Sequence, residues 1–112
     1  MLIAHPEIDI LLGTCADLAL GGLAAAKRQG LAGNLILGGV DGSRGAMEII
    51  KEGGAFKATG LNSPYDVGAA AARSMIAYLV DGTTPEARKM VLKPEVITEK
   101  NVNDFYNPNA PF

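Results

Sequence analysis

Asn34-Leu35-Ile36-Leu37-Gly38-Gly39-Val40-Asp41-Gly42-Ser43 decides the fold. The apolar part is too short for a typical helix and has no polar alternation, which predicts a strand buried on both faces. It stops at a polar Asp-Gly-Ser tip. The residues beyond it place Ala46, Ile49, Ile50 and Gly53 at helical spacing, so a helix follows, closed by Gly53-Gly54.

The same alternation extends in both directions. Upstream, Ile8-Asp9-Ile10-Leu11-Leu12-Gly13 reads as another buried strand, entered after the turn residue Pro6. A helix from Leu18 to Gln29 follows it, with Thr14 or Asp17 as cap, Lys27 and Arg28 in the last turn and Gly30 as the stop. Downstream, Phe56 to Asn62 reads as a third strand. Ser63-Pro64-Tyr65-Asp66 then offers a Ser cap, Pro at the first helical position and an acid in the first turn. That helix carries Gly68, Ala72, Met75, Ile76 and Leu79 on one face and ends at Gly82. Met90 to Thr98 is expected to be extended, with Pro94 forcing an edge position or a bend. The Asn- and Pro-containing tail, 101–112, is expected to be irregular. The order βαβαβαβ predicts an α/β fold with a parallel sheet, right-handed crossovers and helices on both faces, flavodoxin-like in type.

Composition narrows the function classes. The chain has 112 residues, enough for one domain, and a formal net charge of −2. Its ten Lys and Arg residues form no basic stripe, which disfavours nucleic acid and anionic membrane surfaces as partners. No apolar run reaches the roughly 18 residues needed to cross a bilayer, and Met1 to Pro6 lacks the basic and apolar regions of a signal peptide. The expectation is a cytosolic protein, or one whose export signal lies outside this sequence. A single cysteine, Cys15, excludes an internal disulfide.

In open parallel sheets, ligands sit beyond the carboxyl ends of the strands. Three polar loops occupy that end: 14–17, 41–43 and 62–63. Asp41 can accept two hydroxyl hydrogens through charge-assisted bonds, or cap the helix behind it. Asn62 can donate to and accept from a hydroxyl, or serve as a turn residue. Asp17 and Thr14 are ligand contacts or helix-start residues. Cys15 reads as a small packing residue. A nucleophilic role in a small flavodoxin-like enzyme would need a nearby base, and the only histidine, His5, lies before the first strand, at its opposite end. The glycines from Gly38 to Gly45 match neither a Walker loop nor a dinucleotide fingerprint. No His, Cys and carboxylate cluster has metal spacing. No catalytic residue, metal or cofactor is expected.

Several segments together resemble periplasmic sugar-binding proteins of the ribose-binding type. They are His5-Pro6-Glu7-Ile8-Asp9, Asp17 to Gly22-Leu23, Leu37-Gly38-Gly39-Val40-Asp41-Gly42, Ile49 to Gly53 with Ala58-Thr59, Ser63-Pro64 through Gly68, and Val96-Ile97-Thr98-Glu99-Lys100-Asn101-Val102. They fall in family order and span nearly the whole chain. The last of them resembles transport proteins more than the LacI-type repressor cores that share the fold.

The resemblance implies a two-lobe protein that closes on one sugar or polyol and delivers it to an ABC permease in the periplasm. It places Asp41 and Asn62 (where Gln is usual) on the sugar. Cys15 and Ala16 stand where the family usually carries Asn-Asp, with Asp17 one step later, so the resemblance puts Cys15, Asp17 and Thr14 among the ligand-binding positions and implies another polyol, a deoxy sugar or a degenerate pocket. It also implies that the chain corresponds to the C-terminal portion only. Residues 1–62 are then part of the second lobe, 63–100 a helix and extended segment returning to the other lobe, and 101–112 the tail. The absent N-terminal part would be supplied by a second chain, a swapped dimer or a rearranged lobe. Alternative readings are a periplasmic sensor domain serving a receptor kinase, and a repressor effector-binding core.

Overall fold

The apolar run around Leu37 becomes one of two central strands. The computed structural model describes residues 2–87, 89–93 and 95–111. Its elements are β1 (Ile10–Leu12), α1 (Ala16–Arg28), a 3-10 turn (Ala32–Asn34), β2 (Ile36–Asp41), α2 (Arg44–Lys51), β3 (Phe56–Leu61), α3 (Pro64–Asp81), β4 (Val96–Thr98) and α4 (Val102–Phe105). The sheet order is β1-β2-β3-β4.

Strands β1, β2 and β3 are parallel, but β4 runs antiparallel to β3, pairing Thr59 with Ile97 and Gly60 with Val96. The expected all-parallel sheet is therefore corrected to a mixed one. The cause lies in the third connection. After β3 the chain continues outward through α3, instead of turning back over the sheet, and then descends into β4 from the same end. Pro94, expected to mark an edge or bend, lies outside the described residues.

The expected two helix layers are also corrected, to one. A strand order that advances in one direction with right-handed crossovers puts successive helices on the same side. Helix α1 buries Ala16, Ala19, Leu23 and Ala26, and α2 buries Ala46, Met47 and Ile50, against Leu37, Phe56 and Ile97. On the other face, Ile10, Leu12, Ile36, Val40 and Val96 are 42–76% exposed. Ladder partners share that face: Ile10 beside Ile36, Leu12 beside Gly38, Val40 beside Gly60, and Gly60 beside Val96.

Helix α3 begins as its sequence dictates. Ser63 accepts a hydrogen bond from the Asp66 N–H at 3.2 Å, Pro64 stands at the first position, and Gly82 ends the helix at φ +67°. Yet none of its 18 residues is buried. It draws the chain out to 59 Å along its longest axis, against 28 and 21 Å across.

The tail is more ordered than its composition implies. The Asn101 side chain accepts from the Thr98 N–H at 2.7 Å and donates to the Val96 carbonyl at 3.0 Å, turning the chain into α4, which buries Val102. Beyond it, Arg44 donates to the carbonyls of Pro108 and Ala110, and the Tyr106 hydroxyl donates to Glu48 at 3.1 Å. Burial of the phenol and its bond to Glu48 hold the Tyr106 pKa above its ordinary value.

Candidate functional site

The carboxyl ends of β2 and β3 and the N-terminus of α1 meet at one recess of about 310 Å³, lined by Ala16, Asp17, Asp41, Ser43, Asn62 and Pro64. Its position follows from one close approach. A Cβ on Gly39 would lie 2.8 Å from the Cα of Ala16, so only glycine lets the first turn of α1 settle onto β2. That contact carries Asp17 to the tip of β2.

Asp41 ends β2 with φ at +92°, the only left-handed non-glycine residue among those described. Gly42 follows at φ +68°, and its buried N–H donates to the Thr59 hydroxyl at 3.2 Å. Two consecutive left-handed residues turn the chain sharply from strand to helix. They also rule out the reading of Asp41 as a helix cap, because the residue at the cap of α2 is Ser43. Strain of this kind costs about 1–3 kcal/mol and persists where the surrounding structure enforces it.

The polar groups are linked in pairs. Asn62 Nδ2 donates to Asp41 Oδ1 at 3.2 Å, and the Asn62 backbone N–H reaches the Asp41 carbonyl at 3.4 Å. Ser43 Oγ donates to Asp17 Oδ1 at 3.3 Å. Each carboxylate has one oxygen engaged by these bonds, which leaves acceptor capacity directed at solvent. This is the donor and acceptor set that polyols need. Among the described residues, no basic side chain lines the recess.

Of the residues singled out from sequence, Asp17, Asp41 and Asn62 come together. Thr14 and Cys15 do not line the recess. Neither Thr14 nor Asp17 caps α1: the cap position is Cys15, with no side-chain cap bond, and Asp17 sits in the first turn. His5 pairs with Glu7 at 3.1 Å, before β1. Ser43 lies in the 41–43 loop expected at the ligand end but was not singled out as a contact, since a serine after Asp-Gly reads as a helix boundary. Its side chain leaves the helix uncapped and bonds Asp17 instead.

A larger recess of about 590 Å³ lies between α3 and residues 89–93 and shares only Asn62 with the first. Its walls mix Leu61, Val67, Ala70, Met90 and Leu92 with Asn62, Ser63, Asp66, Lys89 and Lys93. The smaller recess is singled out by its position at the carboxyl tips of two strands and by its pair of carboxylates.

The periplasmic binding protein domain profile matches residues 1–84. The chain belongs to the periplasmic binding protein family. Among solved structures it is similar to a Caulobacter myo-inositol binding protein bound to myo-inositol, at 29% identity and a TM-score of 0.79, over 92% of this chain and 35% of that one. It is also similar to an ABC transporter solute-binding protein from Mycobacterium smegmatis with bound glycerol, at 23% identity and 0.85, over 96% and 36%. A third is a periplasmic solute-binding protein from Actinobacillus succinogenes with bound D-allose, at 23% and 0.83, over 92% and 36%. The chain thus spans about a third of the length of these structures. The family is one of binding proteins and not of enzymes.

Proposed function

We propose that this chain supplies one wall of a sugar or polyol site in a solute-binding protein of an ABC importer. The observation that carries the reading is the Asp41–Asn62 pair, held at neighbouring strand tips with free acceptor capacity. Asp41 accepts from two ligand hydroxyls, Asn62 both donates and accepts, and Asp17 with Ser43 extends the set across the recess. Further polypeptide, facing the recess, completes the enclosure. The protein works in the periplasm, hands its ligand to a permease, and carries out no chemistry on it.

The similarity to inositol-, glycerol- and allose-bound proteins supports a compact polyhydroxylated ligand. Cys15 and Thr14, at the mouth of α1 but outside the recess lining, act as packing and helix-start residues.

Calorimetric titration of the intact protein containing this chain, with a panel of aldoses, deoxy sugars, inositols and glycerol, tests the reading. At least one is expected to bind. Asp41→Ala is expected to weaken that binding about 100-fold or more, since two hydrogen bonds to a charged group contribute about 1.5 kcal/mol each. No heat with any of them, or affinity untouched in Asp41→Ala, refutes it.

A further inference from the structure

We propose that the segment from Tyr106 to Ala110 is a rear brace for the ligand-binding turn, with Arg44 as the positioning residue that joins the two; this rests on the sugar or polyol reading of the recess. Three exposed side chains of α2 carry it. Arg44, Glu48 and Lys51 follow one another four and three residues apart, which puts them on one face of the helix. All three hold the tail. Arg44 Nη1 donates to the carbonyls of Pro108 and Ala110 at 3.4 and 3.2 Å. Glu48 accepts from the Tyr106 hydroxyl at 3.1 Å, and Lys51 Nζ lies 3.9 Å from the centroid of the same ring. Arg44 Nε stands 3.7 Å from Glu48 Oε1, which links the two ends of the row. The order of contacts fixes the direction. Tyr106 meets the C-terminal half of α2 and Ala110 meets its first residue, so the tail runs back along the helix and arrives at the Asp41-Gly42-Ser43 turn.

That turn needs support from behind. Asp41 and Ser43 line the ligand recess. Gly42, between them, lines a separate recess of about 280 Å³ together with Ser63, Asn107 and Ala110. The turn therefore stands between the guest's position and the tail. Its own local devices are weak: Asp41 is strained at φ +92°, and Ser43 bonds Asp17 and leaves α2 without a side-chain cap. Arg44 adds to the weakness, because the helix dipole disfavours a cation in the first turn and no acid accompanies it there. Engaging the guanidinium with two tail carbonyls offsets that cost and fixes the first residue of α2, directly after Ser43. The tail is itself anchored at its origin, where α4 buries Val102 and Phe105 packs against the core. Exposed contacts of this kind add little to global stability, so what the brace controls is read at the turn rather than in Tm. Arg44 acts through Asp41 and Ser43 and lies outside the lining of the ligand recess.

Calorimetric titration of the intact protein containing this chain with myo-inositol, D-allose and glycerol compares Arg44→Ala, Arg44→Lys and Tyr106→Leu with the unaltered sequence. Arg44→Ala is expected to raise Kd by about 3- to 10-fold, the worth of a hydrogen-bonded contact, with Tm little changed. Arg44→Lys keeps a donor and is expected to recover part of the affinity. Tyr106→Leu frees the tail at a position outside the recess and is expected to raise Kd in the same direction. Hydrogen exchange followed by amide NMR, without ligand, supplies the second reading. The Gly42 N–H, bonded to Thr59 at 3.2 Å, is expected to lose protection in Arg44→Ala while amides in the middle of β2 and β3 keep theirs. Affinity unchanged in Arg44→Ala overturns the brace, and a loss from Asp41→Ala in the same titrations leaves the sugar reading standing. Equal losses in Arg44→Ala and Arg44→Lys with a matching fall in Tm also overturn it, since they mean a general loss of structure. If none of the three probes binds, the sugar reading has failed for them and Gly42 exchange alone decides the brace: faster exchange supports it and unchanged exchange overturns it.

Discussion

Replacing Asp41 by Gly and, separately, by Ala isolates the strain at the tip of β2. Both substitutions delete the carboxylate and its bond to Asn62, so those losses cancel in the comparison. What remains is a Cβ at φ +92°. Holding an L-residue in left-handed backbone costs roughly 1–2 kcal/mol. Glycine gives back about 0.4–1 kcal/mol through the greater freedom of its unfolded chain. Asp41→Gly should therefore be the more stable of the two by about 0.5–1 kcal/mol. For a chain of this length a change of 1 kcal/mol moves Tm by about 4 °C, so the expected gap is about 2–4 °C. Scanning calorimetry at matched protein concentration measures it, which matters because association raises Tm by mass action. An alanine variant as stable as the glycine variant, or more so, would refute the strained turn and with it the argument that the fold sacrifices stability to present this carboxylate. Ligand affinity supplies the complement: both variants should lose it alike, since neither keeps the acceptor.

Thr59→Val should cost about 1–3 kcal/mol in denaturant unfolding, because the buried Gly42 N–H loses its acceptor, and it should weaken sugar binding in the intact protein by loosening the Asp41-Gly42 turn. Gly39→Ala should lower Tm and lower affinity together, as its methyl would stand 2.8 Å from the Ala16 Cα and push α1 with Asp17 off the strand tip. Phe56→Ala should cost about 3–5 kcal/mol, a large share of a small domain's total, and near-ultraviolet dichroism should report loss of native packing. Tyr106 has a folded pKa raised above 10.0, by burial first and by its bond to Glu48 second, so the stability it contributes is present below that value and is lost as pH rises through the folded pKa. Tyr106→Phe should remove a tyrosinate transition above pH 10 in a spectroscopic titration, and should flatten the alkaline loss of tail protection in hydrogen exchange.

Local chemistry explains which elements were legible. Helix α3 could be read from Ser63-Pro64 to Gly82 because its cap, its first-turn proline and its stop act within a turn of the positions they control. The core of β2 could be read because a short apolar run between glycines leaves little alternative, and β3 because Phe56 to Leu61 is a short stretch bounded by Gly53-Gly54 and Ser63-Pro64. The direction of β4 could not be read, because three residues carry no record of which way the chain enters, and the answer depends on α3 leaving the sheet. Nor could the tail, whose order comes from Arg44 and Glu48 more than fifty residues away.

The site divides along the same line. Strand tips announce themselves in sequence, so Asp41 and Asn62 were visible as polar residues ending apolar runs. Their pairing was not, because it needs the ladder that sets Asp41 beside Leu61 and brings Asn62 alongside. Ser43 was hidden for a further reason. A serine at a helix start almost always serves the helix, and here it serves Asp17, a residue one crossover away. The helix thus forgoes a cap worth about 1 kcal/mol, and Asp41 holds a strained backbone two residues earlier. Two local stability losses within three residues are hard to explain by folding alone. They are what a loop shaped for presenting acceptors to a guest would show, and they concentrate at the recess where Asp17, Asp41, Ser43 and Asn62 meet.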